Sequence, residues 1–187
     1  MIIYKYGIIS EDKCVIAQGD NDSYGSMLRE LNIEDTIENR RCKFVRAELV
    51  PVNDEWWTDP DTWEFVVNQD IVPEWFENDK GRYENEFREA VKEWWKAHVL
   101  VDQKIEELST GYYMLRHCKV KTLRNDVKVV LDSSTVKCMR DSSTVKDMWG
   151  SSVVKSMFGS SIVERMHGAS TVQNKGGSST VQRMQGF

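Results

Sequence analysis

The hydrophobic pattern changes period along this chain. Residues 2–9 (IIYKYGII) and 13–18 (KCVIAQ) cluster β-branched and aromatic side chains on either side of Ser10-Glu11-Asp12, which predicts a β-hairpin. Residues 24–32 (YGSMLRELN) fit a short helix with Asp22 or Ser23 as N-cap. Residues 42–50 (CKFVRAELV) alternate as a strand closed by Pro51, completing a small ββαβ unit. Residues 63–67 (WEFVV) read as a further strand. Tyr83, Phe87, Ala90, Val91, Trp94, Trp95 and His98 then fall on one side of a 3.6-residue period, predicting a helix over residues 80–98. Its other side carries Glu84, Glu86, Arg88, Glu89, Lys92, Glu93 and Lys96, a solvated face.

From Ser133 the pattern becomes a repeat of nine: SSTVKCMRD, SSTVKDMWG, SSVVKSMFG, SSIVERMHG, ASTVQNKGG, SSTVQRMQG, then Phe187. Position four is Val in all six units. Position seven is Met except for Lys175, position three is β-branched, and position nine is Asp or Gly. A small residue, a β-branched pair and a turn residue describe a short strand and a corner. Nine residues are too few for a helical hairpin, and Ser, Thr, Val and Gly are poor helix formers. The expected fold is therefore an α+β N-terminal head followed by a C-terminal parallel β-solenoid of nonapeptide repeats. The expected boundaries are 1–112 for the head, 113–132 for a transition with decayed repeats, and 133–187 for the solenoid. Val at position four and the second Ser point inward, position three points outward, and Met returns to the core beyond a bend. Two repeats close one coil more readily than one, which predicts contacts from i to i+18 and three to four coils.

Charge is unevenly distributed. Residues 1–109 hold 25 acidic and 13 basic side chains, and residues 110–187 hold 5 and 12, within a whole-chain charge of −5. An acidic front and a basic tail point to different partners. At 187 residues, 40% hydrophobic and 29% charged, the chain has material for one domain or two small ones. No apolar run reaches the ~18 residues that span a bilayer. MIIYKYGII lacks signal-peptide anatomy, so the expected location is cytoplasmic with no membrane partner. Cys14, Cys42, Cys118 and Cys138 are far apart and read as reduced structural thiols.

Catalytic signatures are absent from the sequence. It holds no P-loop, no G-x-G-x-x-G and no G-x-S-x-G, and His98, His117 and His167 have no metal-ligand spacing. The corner triplets MRD, MWG and MFG lack the ligands of a calcium β-roll, and Val153 and Ile162 interrupt the Thr row an ice-binding face needs. No metal or other cofactor is expected. One candidate pocket remains in the head: Trp56, Trp57 and Trp63 as an aromatic cage with Asp59 and Asp61, extended by Glu64 and Asp70, for a small molecule, a nucleotide or metal-dependent catalysis. A Trp-rich core is the commoner use of such a block. On the solenoid, position eight sets Arg140, Trp149, Phe158 and His167 at outer corners, as exposed aromatic ladders in protein contacts do. Lys137, Lys146, Lys155, Arg165 and Arg183 supply a basic surface. Phe187 follows the last repeat at an open sheet edge, which suggests a homodimer stacked end to end.

The nonapeptide S-S-T-V-x-x-M-x-[GD], preceded by Trp-Thr-Asp-Pro-Asp-Thr-Trp (57–63) and Val-Pro-Glu-Trp-Phe (72–76), resembles uncharacterised proteins of phages and gut bacteria that carry variable numbers of such units. The resemblance runs from about residue 44 onward and brings no catalytic residues. It implies a host-cell cytoplasmic setting, in which small acidic phage proteins inhibit host defence nucleases in the manner of anti-CRISPRs. The expected function is thus a non-enzymatic interaction protein whose solenoid dimerises or docks on a protein partner, a host nuclease or effector among them. The alternatives are a ligand-binding or catalytic head and nucleic-acid binding by the basic tail.

Overall fold

The computed structural model describes residues 4–19 and 23–185. The chain divides into two compact units, residues 1–97 and residues 98–187.

The first unit is built on a four-stranded antiparallel sheet of order β2-β1-β3-β4. Strands β1 (Lys5–Ile9) and β2 (Cys14–Ile16) form the expected hairpin, closed where the Ser10 N–H donates to the Lys13 carbonyl at 2.9 Å. Helix α1 (Tyr24–Glu30) starts at Ser23 with reciprocal capping: Ser26 N–H donates to Ser23 Oγ, and Ser23 N–H donates to Ser26 Oγ. The alternative cap, Asp22, lies outside the described residues. Thr36 caps a second short helix, α2 (Ile37–Cys42), that the hydrophobic pattern does not announce because none of its residues is buried. Strand β3 (Val45–Val50) therefore starts later than the expected residue 42, and its burial alternates as its sequence does. Strand β4 (Glu64–Val67) pairs with β3. The turn-like helix α3 (Glu74–Asn78) precedes helix α4 (Lys80–His98), which buries Tyr83, Phe87, Val91 and Trp94, the face its period selects. Gly7 is required where α4 crosses the sheet. A Cβ there would stand 2.8 Å from Phe87 Cε2 and 2.4 Å from the Val15 carbonyl oxygen.

The second unit is a parallel β-solenoid of about five turns. Each coil gives one strand to each of two sheets. One sheet holds β6 (Lys104–Leu108), β8 (Lys119–Leu123), β10 (Thr135–Met139), β12 (Val153–Met157) and β14 (Thr171–Lys175). The other holds β5 (Val99–Val101), β7 (Tyr112–Arg116), β9 (Lys128–Asp132), β11 (Thr144–Trp149), β13 (Ile162–His167) and β15 (Thr180–Gln185). Two repeats make one coil: Thr135 pairs with Val153, Thr144 with Ile162, and Ile162 with Thr180.

The ladder starts at Val99, not at Ser133. Residues 113–132 are regular rungs rather than a transition, and the boundary expected at 112 falls inside β7 at its first residue. The expected three to four coils are accordingly too few. The earlier coils were hidden because they are shorter. Val99 pairs with Met114 and Tyr112 with Lys128, steps of 15 and 16 residues, before the step settles at 18. Leu123 and Leu131 occupy the places that Met139 and Met148 take in the next coil.

Val136, Val145, Val154 and Val163 are fully buried, as are Met139, Met148 and Met157. Burial of each such side chain contributes about 1.5–3 kcal/mol of transfer free energy. The second Ser of each early repeat is also inside. In one column these serines bond along the axis: Cys118 N–H donates to Ser134 Oγ at 2.9 Å and Ser134 N–H to Ser152 Oγ at 3.2 Å. In the other column the hydroxyls of Ser143 and Ser161 find no such partner. Position nine turns each corner in the left-handed region, with φ of 57° at Asp141, 61° at Gly150 and 67° at Gly159. Only Gly, Asn or Asp enters that region readily, which explains the composition of position nine.

Candidate docking face

The two-sheet coil sorts side chains by repeat parity. Odd repeats present their outward residues on the five-stranded face and even repeats on the six-stranded face. Position five shows the consequence. Lys137 and Lys155 are consecutive on the five-stranded face, and Lys121 precedes them in the same row, since Val120 pairs with Val136 and Val136 with Val154. Lys104 and Lys119 stand opposite each other in the row two residues away. All five lysines are exposed and line a shallow groove of about 460 Å³. Lys121 reaches the Glu106 carboxylate at 2.6 Å, while no ion pair is found for Lys104, Lys119, Lys137 or Lys155 among the described residues. Hydrogen bonding to Glu106 raises the pKa of Lys121 above the ordinary lysine value.

Neighbouring rungs are ~4.8 Å apart, and like charges directly opposite one another destabilise a sheet. The six-stranded face follows that rule at three of its cross-coil charge pairs. Lys146 pairs with Glu164 one coil on, at 2.9 Å. Asp147 takes Arg165 in a two-pronged bond, 2.6 Å on each side. Arg116 pairs with Asp132. Arg183 stands directly opposite Arg165, a like-charge exception on this face. The six-stranded face thus sets most of its cross-coil cations against acids, whereas the five-stranded face stacks Lys121, Lys137 and Lys155 in one row.

The basic residues singled out in the sequence divide accordingly. Lys137 and Lys155 belong to the lysine row, whereas Lys146 and Arg165 are engaged by acids on the opposite sheet. The row also contains Lys104, Lys119 and Lys121, which the nonapeptide register does not reach. Their signal is present in the sequence as K-V-K at 119–121, answered by T-V-K at 135–137 and V-V-K at 153–155.

Position eight does not form one ladder. Trp149 and His167 lie on the six-stranded side and stack on each other, with ring centroids 3.6 Å apart and planes 1° from parallel. His167 Nε2 stands 3.2 Å from Asp147 Oδ1, so this pair is engaged internally and only partly exposed. Arg140 and Phe158 lie at the edge of the five-stranded sheet. Phe158 is 48% exposed, and the Arg140 guanidinium touches Cys138 Sγ at 3.4 Å. Phe187 lies outside the described residues.

In the head, Trp56 and Trp63 are buried, at 2% and 3% exposure, so the core takes up the faces a ligand cage would need. The Trp56 and Trp57 rings meet edge to face at 5.7 Å. The indole N–H of Trp63 donates to Thr58 Oγ1 at 3.1 Å, and that of Trp95 to the Trp56 carbonyl at 3.1 Å. Asp59 accepts the Asp61 N–H at 3.0 Å and so begins a short 3-10 turn, while Asp61 pairs with Lys92. These contacts define a capped corner beside a Trp-rich core. Glu64 and Asp70 are exposed. A separate head cavity of about 490 Å³ is lined by Arg40, Arg46 and Asp70. Both arginines converge on Asp35 and hold its carboxyl below the usual carboxylate range, chiefly through the Arg40 hydrogen bond.

His98, His117 and His167 have separate neighbours, Tyr113, Asp102 and Asp147. Among the described residues no group of three His, Cys, Asp or Glu side chains is placed to hold a metal, and no helix is long and apolar enough to cross a membrane. Comparison with protein-family models, with curated proteins and with solved structures found no match to the chain.

Proposed function

We propose that this is a non-enzymatic docking protein whose solenoid offers its five-stranded face to an anionic partner. The observation that carries this reading is the row Lys121, Lys137, Lys155 beside Lys104 and Lys119, set against the opposite face, where Arg116, Lys146 and Arg165 each meet an acid. Sequences depart from local rules where function requires it, and a same-charge row maintained over three rungs is such a departure. The groove is shallow and lined by lysine stems, which suits a macromolecular contact more than an enclosed small molecule. Inhibition of a host defence nuclease, as the phage resemblance implies, would be one instance of such docking.

The test is a fluorescence-anisotropy titration of labelled poly-L-glutamate and of a labelled DNA duplex with the full chain. Lys137→Glu together with Lys155→Glu should weaken binding of the favoured anion at least tenfold. Lys13→Glu with Lys43→Glu, two exposed head lysines, should change it less than twofold. Failure of both anions to bind, or equal loss in the two double variants, would refute the proposal.

A further inference from the structure

The spacing of the lysine row selects among anionic partners, on the assumption that the face is a docking surface. We infer that its occupant is an acidic α-helix of a partner protein, lying along the solenoid axis with carboxylates at i, i+4 and i+7. Three lysines on consecutive rungs span two intervals of ~4.8 Å, or about 9.6 Å. Seven residues of α-helix rise about 10.5 Å at 1.5 Å each, so three carboxylates on one helical face meet the row within about 1 Å. An extended peptide places its same-side residues i, i+2 and i+4 over about 13 Å, so its acids slip out of register by more than half a rung at the third lysine.

One lysine of the row already binds a carboxylate, from within the sheet. Glu106 occupies the rung before Lys121 and binds it at 2.6 Å, continuing the same line of side chains. Lys104 and Lys119 flank the row at a lateral distance of about 6.6–6.8 Å, two strand residues, and reach acids on the side of the helix. Nucleic acid is the weaker match. The five-lysine cluster contains no arginine fork for phosphate and no aromatic ring for base stacking, and the whole chain carries a charge of −5.

Three labelled probes decide the matter in anisotropy titrations of the full chain. The first is a helical peptide with Glu at i, i+4 and i+7 on an alanine-rich frame. The second carries the same number of Glu at every second position and is kept extended by interspersed prolines, and the third is a DNA duplex. The helical peptide should bind at least tenfold more tightly than either of the others. Lys137→Glu should weaken it at least tenfold, and Lys137→Arg, which keeps the charge, less than threefold. Circular dichroism of both variants should match the parent chain, which separates lost contact from lost fold. Equal binding of the two peptides, tighter binding of the duplex, or indifference to Lys137→Glu would overturn the helix. If the duplex or the second peptide wins and loses affinity in Lys137→Glu, the docking proposal survives without the helix. If no probe binds, both fall.

Discussion

Lys137→Glu should make the protein more stable while removing its proposed function. Lys137 lies between Lys121 and Lys155, one rung from each. The substitution converts two like-charge neighbours into two opposite-charge neighbours without touching the core, because the side chain is exposed. Cross-strand charge pairs favour opposite signs, but exposure and side-chain entropy keep the gain small. For a chain of this size the expected rise in the solenoid's melting temperature is about 1–3 °C at low ionic strength. Screening supplies an internal control. The Debye length falls from ~10 Å at 0.1 M salt to ~3 Å at 1 M, so the gain should vanish in concentrated salt. Lys146→Glu on the other face should do the reverse, since it sets a new acid against Glu164 in place of a 2.9 Å ion pair. Differential scanning calorimetry of the two variants at both salt concentrations measures the effect. A lower melting temperature for Lys137→Glu at low salt, or a gain that persists at 1 M, would refute the reasoning.

Three further outcomes follow from other parts of the molecule. Met148→Ala empties a fully buried site between the sheets and should cost about 2–5 kcal/mol, read by thermal or urea unfolding; a loss under 1 kcal/mol would mean the coil collapses around the gap. Gly150→Ala places a Cβ 2.5 Å from Ser133 Oγ at a φ of 61° and should lower stability by about 1–3 kcal/mol in the same assay, whereas a neutral effect would disprove the tight corner. Burial, aided by the charge of Glu86, pushes the Cys14 thiol up to about 12, well above an ordinary cysteine. The folded head then keeps a proton that the unfolded chain releases, so stability present below pH 9 declines between about pH 9 and 12. Cys14→Ala should flatten that decline in pH-dependent unfolding, and an unchanged slope would remove Cys14 as its source.

The repeat was legible because the valines and methionines recur without insertion from Ser133 onward. One rule, inward at positions two, four and seven, describes coil after coil. The rungs before it were not legible in the same way. Leu123 and Leu131 do the work of Met, and coils of 15 and 16 residues break the nine-residue count. Helix α4 declared itself through its apolar period, while α2, with no buried residue, had nothing periodic to declare. The candidate face was only half visible. Lys137 and Lys155 could be read from the repeat, but whether a lysine meets another lysine or a glutamate depends on the residue 18 positions away, and hence on two repeats forming one coil. That step also split the position-eight residues into the stacked Trp149–His167 pair and the Arg140–Phe158 edge.

The most direct measurement is lysine-acetylation footprinting of the full chain by quantitative mass spectrometry, with and without poly-L-glutamate. Docking on the five-stranded face predicts slower acetylation of Lys104, Lys119, Lys121, Lys137 and Lys155, with Lys13 and Lys43 unchanged. Protection spread evenly over all exposed lysines, or confined to the head, would contradict it.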